Sequence, residues 1–120
     1  MRDFKIYPKQ FKNEKIAINK NKCFMLMQFT ADLDLVYGTI KDELDKEGYL
    51  CSRADDIEGS PFLFGKILNE IFSSRFIIAD LTHNNPNVFY ELGIAHSFKD
   101  PSNIILIKQK TKNVLLIFLI

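Results

Sequence analysis

The stretch RFIIADLTHNNPNVFYELGIAHSF, residues 75–98, decides the fold because it places a strand, a loop and a helix in close succession. Residues 76–79 are a continuous apolar run, which predicts a strand that is covered on both faces. In the loop that follows, Asn85 suits the N-cap of a helix and Pro86 suits its first position. A strand that leads through a short polar loop into an amphipathic helix is the repeating unit of a parallel α/β sheet.

The same unit recurs on either side of this stretch. Apolar runs predict strands at residues 23–29, 49–54, 75–81 and 103–109, with a fifth at 113–120. Between them, apolar residues at helical spacing predict a first helix with Asp32 or Asp34 as its cap and Gly48 at its end. A second helix is expected to begin at Ser60 and Pro61. The alternation predicts a three-layer α/β fold with helices on both faces of a parallel sheet of four to five strands.

Length and composition indicate one ordinary globular domain. The chain has 120 residues, of which 47% are hydrophobic and 26% charged, and its formal net charge of +1 gives no global signal for binding nucleic acid. Its longest apolar run lies at residues 114–120, well short of the roughly 20 residues of a membrane helix. Cys23 and Cys51 lack the spacing of metal ligands and are interpreted as buried thiols of a reduced, cytoplasmic protein. We expect no membrane partner.

The first 21 residues differ from the rest of the chain in charge. Five lysines and Arg2 stand there against Asp3 and Glu14 only, and Lys22 follows directly. This pattern is typical of a solvated basic arm, although a weak contact with a phosphate group or a partner is also open. We therefore divide the chain into a basic arm at residues 1–21 and a domain at residues 22–120.

A ligand site is expected where the predicted strands end. In open parallel sheets, ligands bind beyond the carboxyl ends of the strands, at the point where the strand order reverses. The residues at those ends include Gln28, Phe29, Asp55, Asp56, Asp80 and Asn85. The polar and acidic groups of three loops therefore gather at one edge of the sheet.

Glu91 is the most informative residue of the third helix. Val88, Leu92 and Ala95 form one apolar stripe on that helix, and Glu91 falls on its flank, close to the strand ends. A carboxylate turned toward a core costs free energy unless it is paired or used. Two interpretations stay open: Glu91 accepts hydrogen bonds from loop amides or pairs with the basic arm, or it is a nucleophile or general base in a cleft.

Other chemistry finds little support in the sequence. The five glycines form no phosphate-binding fingerprint, so a Gly-rich nucleotide loop is not expected. His83 and His96 lie thirteen residues apart without a pattern of ligands around them, so we expect no metal, and we expect no other cofactor. Phe29 and Tyr90 are candidates for stacking on a base, with packing in the core as the alternative.

The pattern ADLT…NPNVFYELGIAH, preceded by FMLMQF and SRADDIEGS, resembles the nucleoside 2-deoxyribosyltransferase-like superfamily over residues 22–109. That superfamily is distantly related to TIR domains, some of which cleave NAD. The resemblance implies a flavodoxin-like fold and chemistry at the bond between C1′ of a sugar and a base nitrogen. It also implies that Glu91, the glutamate of ELG, attacks the anomeric carbon as the nucleophile.

The resemblance further implies the class of substrate, and the strand ends and the start of the third helix supply the candidate contacts. A nucleoside or nucleotide is the expected small-molecule partner, and a homo-oligomer is the expected assembly. The expected substrate-binding residues are Gln28, Phe29, Asp55, Asn85, Asn87 and Tyr90.

The chain departs from the family pattern at two places. Family members carry a second acid on the preceding helix, where this chain has Lys66 and Ile67. Asp56 or Asp80 is a candidate substitute for that acid. The segment after the fourth strand also differs, which raises a shortened C-terminus as an expectation. The alternative to an enzyme is therefore a non-catalytic nucleotide-binding or TIR-like signalling or defence module.

Overall fold

The structure is a computed structural model that describes residues 17–56, 63–111 and 114–119. The elements in chain order are β1 (Asn19–Leu26), α1 (Ala31–Lys46), β2 (Leu50–Arg53), α2 (Leu63–Ser73), β3 (Ser74–Asp80), α3 (Pro86–Phe98), β4 (Ile104–Thr111) and β5 (Val114–Leu119). Short 3-10 turns at Ala54–Asp56 and Pro101–Asn103 follow β2 and precede β4. Among the helices described, none combines the length and the apolar character needed to cross a bilayer.

The five strands form one sheet in the order β2-β1-β3-β4-β5. The first four strands are parallel, and helices connect them, so the predicted three-layer, flavodoxin-like α/β fold is confirmed. The predicted fifth strand is also present, but it runs antiparallel to β4. Only two residues separate the two strands, whereas a parallel connection needs a crossover of about a dozen. The strand order reverses between β1 and β3, which are the central pair of the four parallel strands.

Each face of the sheet packs into its own core. Successive side chains of a strand point to opposite faces, so Phe24 and Leu26 of β1 pack with α2 and α3, whereas Cys23 and Met25 pack with α1. All four side chains are almost fully buried. Burial on both faces is the reason that the strands read as continuous apolar runs.

The turn after α1 is built by its backbone. Gly48 adopts a φ of 83° and donates its N–H to the carbonyl of Asp45, while Tyr49 donates to the carbonyl of Leu44. These two bonds form a Schellman motif, and the expected role of Gly48 is confirmed. The expected cap at the other end is wrong. Thr30 occupies the N-cap. Asp32 and Asp34 lie in the first turn, where their negative charges interact favourably with the helix dipole.

Other boundaries shift by a few residues. β1 begins at Asn19, four residues before the predicted start, because its backbone already pairs with β3 at Asn19, opposite Ser74, before the register shifts ahead of Cys23. Strand pairing therefore extends into the predicted basic arm, and residues 1–16 lie outside the described part of the chain. The predicted start of α2 at Ser60 and Pro61 also lies outside the described residues.

The two cysteines are neighbours on adjacent strands. Cys23 of β1 pairs in register with Cys51 of β2, and both are buried free thiols. The interpretation as buried thiols is confirmed. The hydrogen bond from Cys51, followed by burial, raises the pKa of Cys23 far above its usual range, so the thiol stays protonated.

Candidate functional site

A cleft of about 350 Å³ opens at the carboxyl end of β1, between that strand and the helices α2 and α3. This is the side of the sheet where the strand order reverses, as expected for a ligand site in such a fold. The cleft is lined by Met25, Leu26, Met27, Gln28, Phe29, Ala54, Ile67, Asn85, Asn87 and Glu91. Five predicted site residues are therefore brought together: Gln28, Phe29, Asn85, Asn87 and Glu91.

The start of α3 is held by Asn85. Its side-chain oxygen accepts hydrogen bonds from the backbone N–H groups of Asn87, at 2.8 Å, and Val88, at 3.3 Å. This is the predicted N-cap, and Pro86 occupies the predicted first position. The side-chain nitrogen of Asn85 donates to the side-chain oxygen of Gln28 at 3.3 Å, which connects the helix start with the end of β1. The cap thereby fixes where the second turn of α3 enters the cleft.

Glu91 lies in that second turn with its side chain partly buried. Its carboxylate makes no hydrogen bond or ion pair with any residue in the described part of the chain. Burial away from water raises the pKa of Glu91 to about 7, because desolvation disfavours the charged form. Near neutral pH the group is therefore divided between a carboxylate and a carboxylic acid. A titrating, unpaired acid in a cleft is the arrangement that acid–base and nucleophilic catalysis use.

Asp80 is buried but does not line the cleft. Its Oδ1 accepts hydrogen bonds from the backbone N–H of Thr82, at 2.9 Å, and from the Thr82 hydroxyl. In register, Asp80 pairs with Ile107, which packs on the α1 side of the sheet, opposite α2 and α3. Its other oxygen, Oδ2, finds no partner among the residues described. The catalytic role of Asp80 stays a prediction, and its position gives that role no support.

Asp55 and Tyr90 also lie off the cleft lining. Asp55 is exposed and forms an ion pair with Arg53 at 2.6 Å. Asp56 belongs to the 3-10 turn after β2, and its side chain is outside the described part. Tyr90 is 63% exposed, and its ring packs at 5.9 Å from that of Phe64. The roles of these three residues stay predictions.

Arg53 is the notable residue that sequence reasoning missed. It ends β2 and is only 8% exposed, an unusual state for a charged side chain, and it contacts α1 and the segment after β1. The signal in the sequence was its position in SRADD, between an apolar run and two acids. Apart from Asp55, its partners come from segments far away in sequence, so the spacing of residues could not reveal them.

A second polar contact lies at the same edge of the sheet but outside the cleft lining. His83 Nε2 and Asp32 Oδ2 are 2.8 Å apart, which connects the loop before α3 with the start of α1. Hydrogen bonds from Thr30 and from His83 lower the pKa of Asp32. Within residues 17–56, 63–111 and 114–119, no three histidine, cysteine, aspartate or glutamate side chains cluster as metal ligands.

The chain matches no protein family model, and no curated protein matches its sequence. The resemblance to the deoxyribosyltransferase-like superfamily therefore stays a prediction from the sequence motif.

Proposed function

We propose that the protein breaks the N-glycosidic bond of a nucleoside or nucleotide, or transfers its deoxyribosyl group, with Glu91 as the nucleophile. The observation that carries the proposal is the placement of Glu91. Its carboxylate lies at the cleft wall, partly buried and unpaired among the described residues, at the edge of the sheet where ligands of this fold class bind. Because no described residue binds it, the Glu91 carboxylate can approach a sugar carbon directly.

The reaction has two steps. In the first, a carboxylate oxygen of Glu91 forms a bond to C1′ as the bond from C1′ to the base nitrogen breaks and the base leaves with that electron pair. In the second, water or another base attacks C1′ and releases the carboxylate, and the proton that this attacking group gives up is taken by the departed base. Retaining glycosidases divide their reaction in the same way, with charge building up on the sugar ring in both transition states. The Glu91 carboxylate stabilises that positive charge before it forms the bond.

The polar lining supports binding of the sugar and the base. Asn85, Asn87 and Gln28 offer amide groups at the cleft, and Asn85 and Gln28 already contact each other. Amides both donate and accept hydrogen bonds, so they suit sugar hydroxyls and the edge of a base. Phe29 adds an apolar wall that is half-exposed and suits the face of a planar ring.

A direct test is to incubate the protein with a panel of deoxynucleosides, their monophosphates and NAD, and to measure free base by chromatography. We expect base release that falls by more than about 10³-fold in Glu91→Ala, as expected when a nucleophile is lost. Glu43→Ala is the matched control, because Glu43 is exposed and pairs with Lys46 on α1. Base release that is absent, or equal in the wild type and Glu91→Ala, contradicts the proposal.

A second candidate function is a binding module without turnover, of the nucleotide-binding or TIR-like signalling kind. It is favoured by the absence of a second acid among the described lining residues, where Ile67 stands near the position of the family's acid. Calorimetry with the same panel separates the two functions. Tight binding without product, unaffected by Glu91→Gln, supports the module, and product formation excludes it.

We further propose a cytoplasmic homo-oligomer. The cytoplasmic location continues the sequence-based interpretation of Cys23 and Cys51 as thiols of a reduced protein, and both side chains are buried in the core. β5 forms an edge of the sheet, and edge strands offer free backbone groups to a second chain. Light scattering coupled to gel filtration measures the assembly, and a strictly monomeric mass contradicts it.

A further inference from the structure

Arg53 joins three segments of the chain through ion pairs and stacking. Its Nη2 lies 2.8 Å from Asp34 Oδ1 on α1, and its Nε lies 2.6 Å from Asp55 Oδ1 in the turn after β2. Both carboxylates are partly exposed, whereas the arginine side chain is only 10% exposed. The guanidinium is therefore held in place from two sides by charge-assisted hydrogen bonds.

The same guanidinium contacts two aromatic rings. Its central carbon lies 4.3 Å from the ring centroid of Tyr37 on α1 and 5.3 Å from that of Phe29 after β1. Its Nη1 also lies 3.9 Å from the sulfur of Met27. Phe29 lines the cleft, and Arg53 does not. The arginine thus reaches the cleft only through residues that it contacts.

A support matters for Phe29 because its ring is half-exposed on a loop. The residue follows the end of β1, it belongs to no helix or strand, and it is 50% exposed. An exposed ring on a loop samples several rotamers and loses that freedom when a ligand stacks on it. A support that holds the ring in one orientation removes part of this cost before the ligand arrives.

We propose that Arg53 is a positioning residue that fixes the Phe29 ring as the wall on which a planar nucleobase stacks. The inference rests on the proposed function, because it takes the ligand of the cleft to be a nucleoside or nucleotide. It assigns to Arg53 an effect on binding of the base and none on the chemistry at Glu91. The planar shape of the Arg53 guanidinium is essential. A guanidinium stacks on a ring and donates hydrogen bonds in fixed directions, whereas a lysine ammonium does neither.

The test uses the full chain and 2-aminopurine 2′-deoxyriboside, a fluorescent nucleoside that is quenched when its base stacks on an aromatic ring. We expect Arg53→Lys to weaken binding about fivefold, which corresponds to ~1 kcal/mol, the usual strength of a cation–π contact. Phe29→Leu should weaken binding at least as much and remove most of the quenching. The double variant should bind like Phe29→Leu alone, because Arg53 acts through that ring.

Arg75→Lys is the matched control, because Arg75 is an exposed arginine at the start of β3 that contacts Tyr49 at 3.3 Å, away from the cleft. It should bind the probe like the wild type. Asp55→Asn is a second variant that weakens the support while keeping Arg53 itself, and it should shift affinity in the same direction. Circular dichroism confirms that each variant is folded.

Measuring the rate of base release separates an effect on substrate binding from an effect on the chemical step. Arg53→Lys should raise KM while kcat stays within about twofold of the wild type, because the Glu91 step is unchanged. The inference is overturned, while the proposed function stands, by either of two results. One is an affinity of Arg53→Lys equal to that of the wild type. The other is a double variant whose loss of affinity is the sum of the losses in Arg53→Lys and Phe29→Leu. A wild type that neither quenches the probe nor releases base overturns both.

Discussion

Glu91 is a carboxylate that the fold removes from water without supplying a counter-charge among the described residues. Apolar side chains such as Leu26 and Ile67 share its cleft, and the nearby polar groups are the neutral amides of Asn85 and Asn87. Burial therefore acts on its pKa unopposed and raises it to about 7. The consequence is that small changes of pH around neutrality change the charge of the cleft.

The activity should consequently depend on pH through Glu91. The nucleophile is the carboxylate, so kcat/KM should rise with pH, reach half its maximum near pH 7 and level off about one unit above. Initial rates of base release across pH 5.5–9 measure the profile. A rate that instead falls through pH 7 assigns the protonated form of Glu91 to the reaction and contradicts the nucleophilic role.

Individual residues differ in how far the sequence predicts them. The place of Glu91 on the flank of an apolar stripe follows from helical spacing, and the cap at Asn85 follows from the Asn-Pro pair. Tyr90 shows the limit, because the residue next to Glu91 on a helix points about 100° away and here lies outside the cleft. Arg53 shows another limit, since its partners are set by the tertiary fold.

The elements of the fold begin and end where backbone bonding requires, and α1 shows this most clearly. Its last turn closes through Gly48 in the left-handed region of φ, where a side chain is strained. Gly38 lies within the same helix, and a Cβ added there would meet no atom within 4 Å. The backbone therefore requires glycine at position 48 and does not require it at position 38.

Alanine at these two positions should change stability in opposite directions. Gly48→Ala should lower the free energy of unfolding by about 1 kcal/mol, because alanine is strained at positive φ. Gly38→Ala should raise it by about 0.5 kcal/mol, because alanine is the better helix former and fits the open space. Urea unfolding followed by circular dichroism measures both. Equal effects at the two sites would show that the turn does not need its glycine.

At this scale the sequence predicts which elements exist better than where they end. The continuous apolar runs indicate β1, β3 and β4 because these strands are covered on both faces. The start of β1 does not follow from the apolar run, because the strand already includes Asn19 and Lys20, whose side chains are exposed. Hydrophobic patterns carry no information on such residues, since the hydrogen bonds of a strand do not depend on apolar side chains.

Burying Glu91 in the cleft affects the free energy of unfolding of the whole molecule. Below pH 4.5, Glu91 is protonated in both the folded and the unfolded chain, so its burial costs little. Between pH 4.5 and 7 the folded state must keep a proton that the unfolded chain has lost, and above pH 7 it must bury a charge. Stability from this group is therefore present at low pH and is lost as the pH rises to about 7.

Replacing Glu91 with glutamine should remove this dependence. The amide imitates the protonated acid at every pH, so Glu91→Gln should exceed the wild type in free energy of unfolding by about 2 kcal/mol at pH 8 and by only about 0.5 kcal/mol at pH 5. Thermal and urea unfolding at the two pH values measure the difference. A constant difference between the two proteins across this range would mean that Glu91 does not titrate as its burial requires.

The layer arrangement and the edge that carries the site follow from the alternation of strands and helices, because parallel sheets have few allowed topologies. The direction of β5 does not follow from that pattern. A strand that returns after two residues is a hairpin strand, so the length of the connection before Val114 was the informative feature.

The antiparallel return of β5 also has a practical consequence. β1 starts beside Ser74, and β5 finishes beside Ile105, so both ends of the described sheet lie on the side opposite the cleft. A fluorescent protein or a surface linker attached beyond either end would leave the mouth of the cleft unobstructed. The chain can therefore be immobilised on a sensor with Glu91 and Phe29 facing the solution.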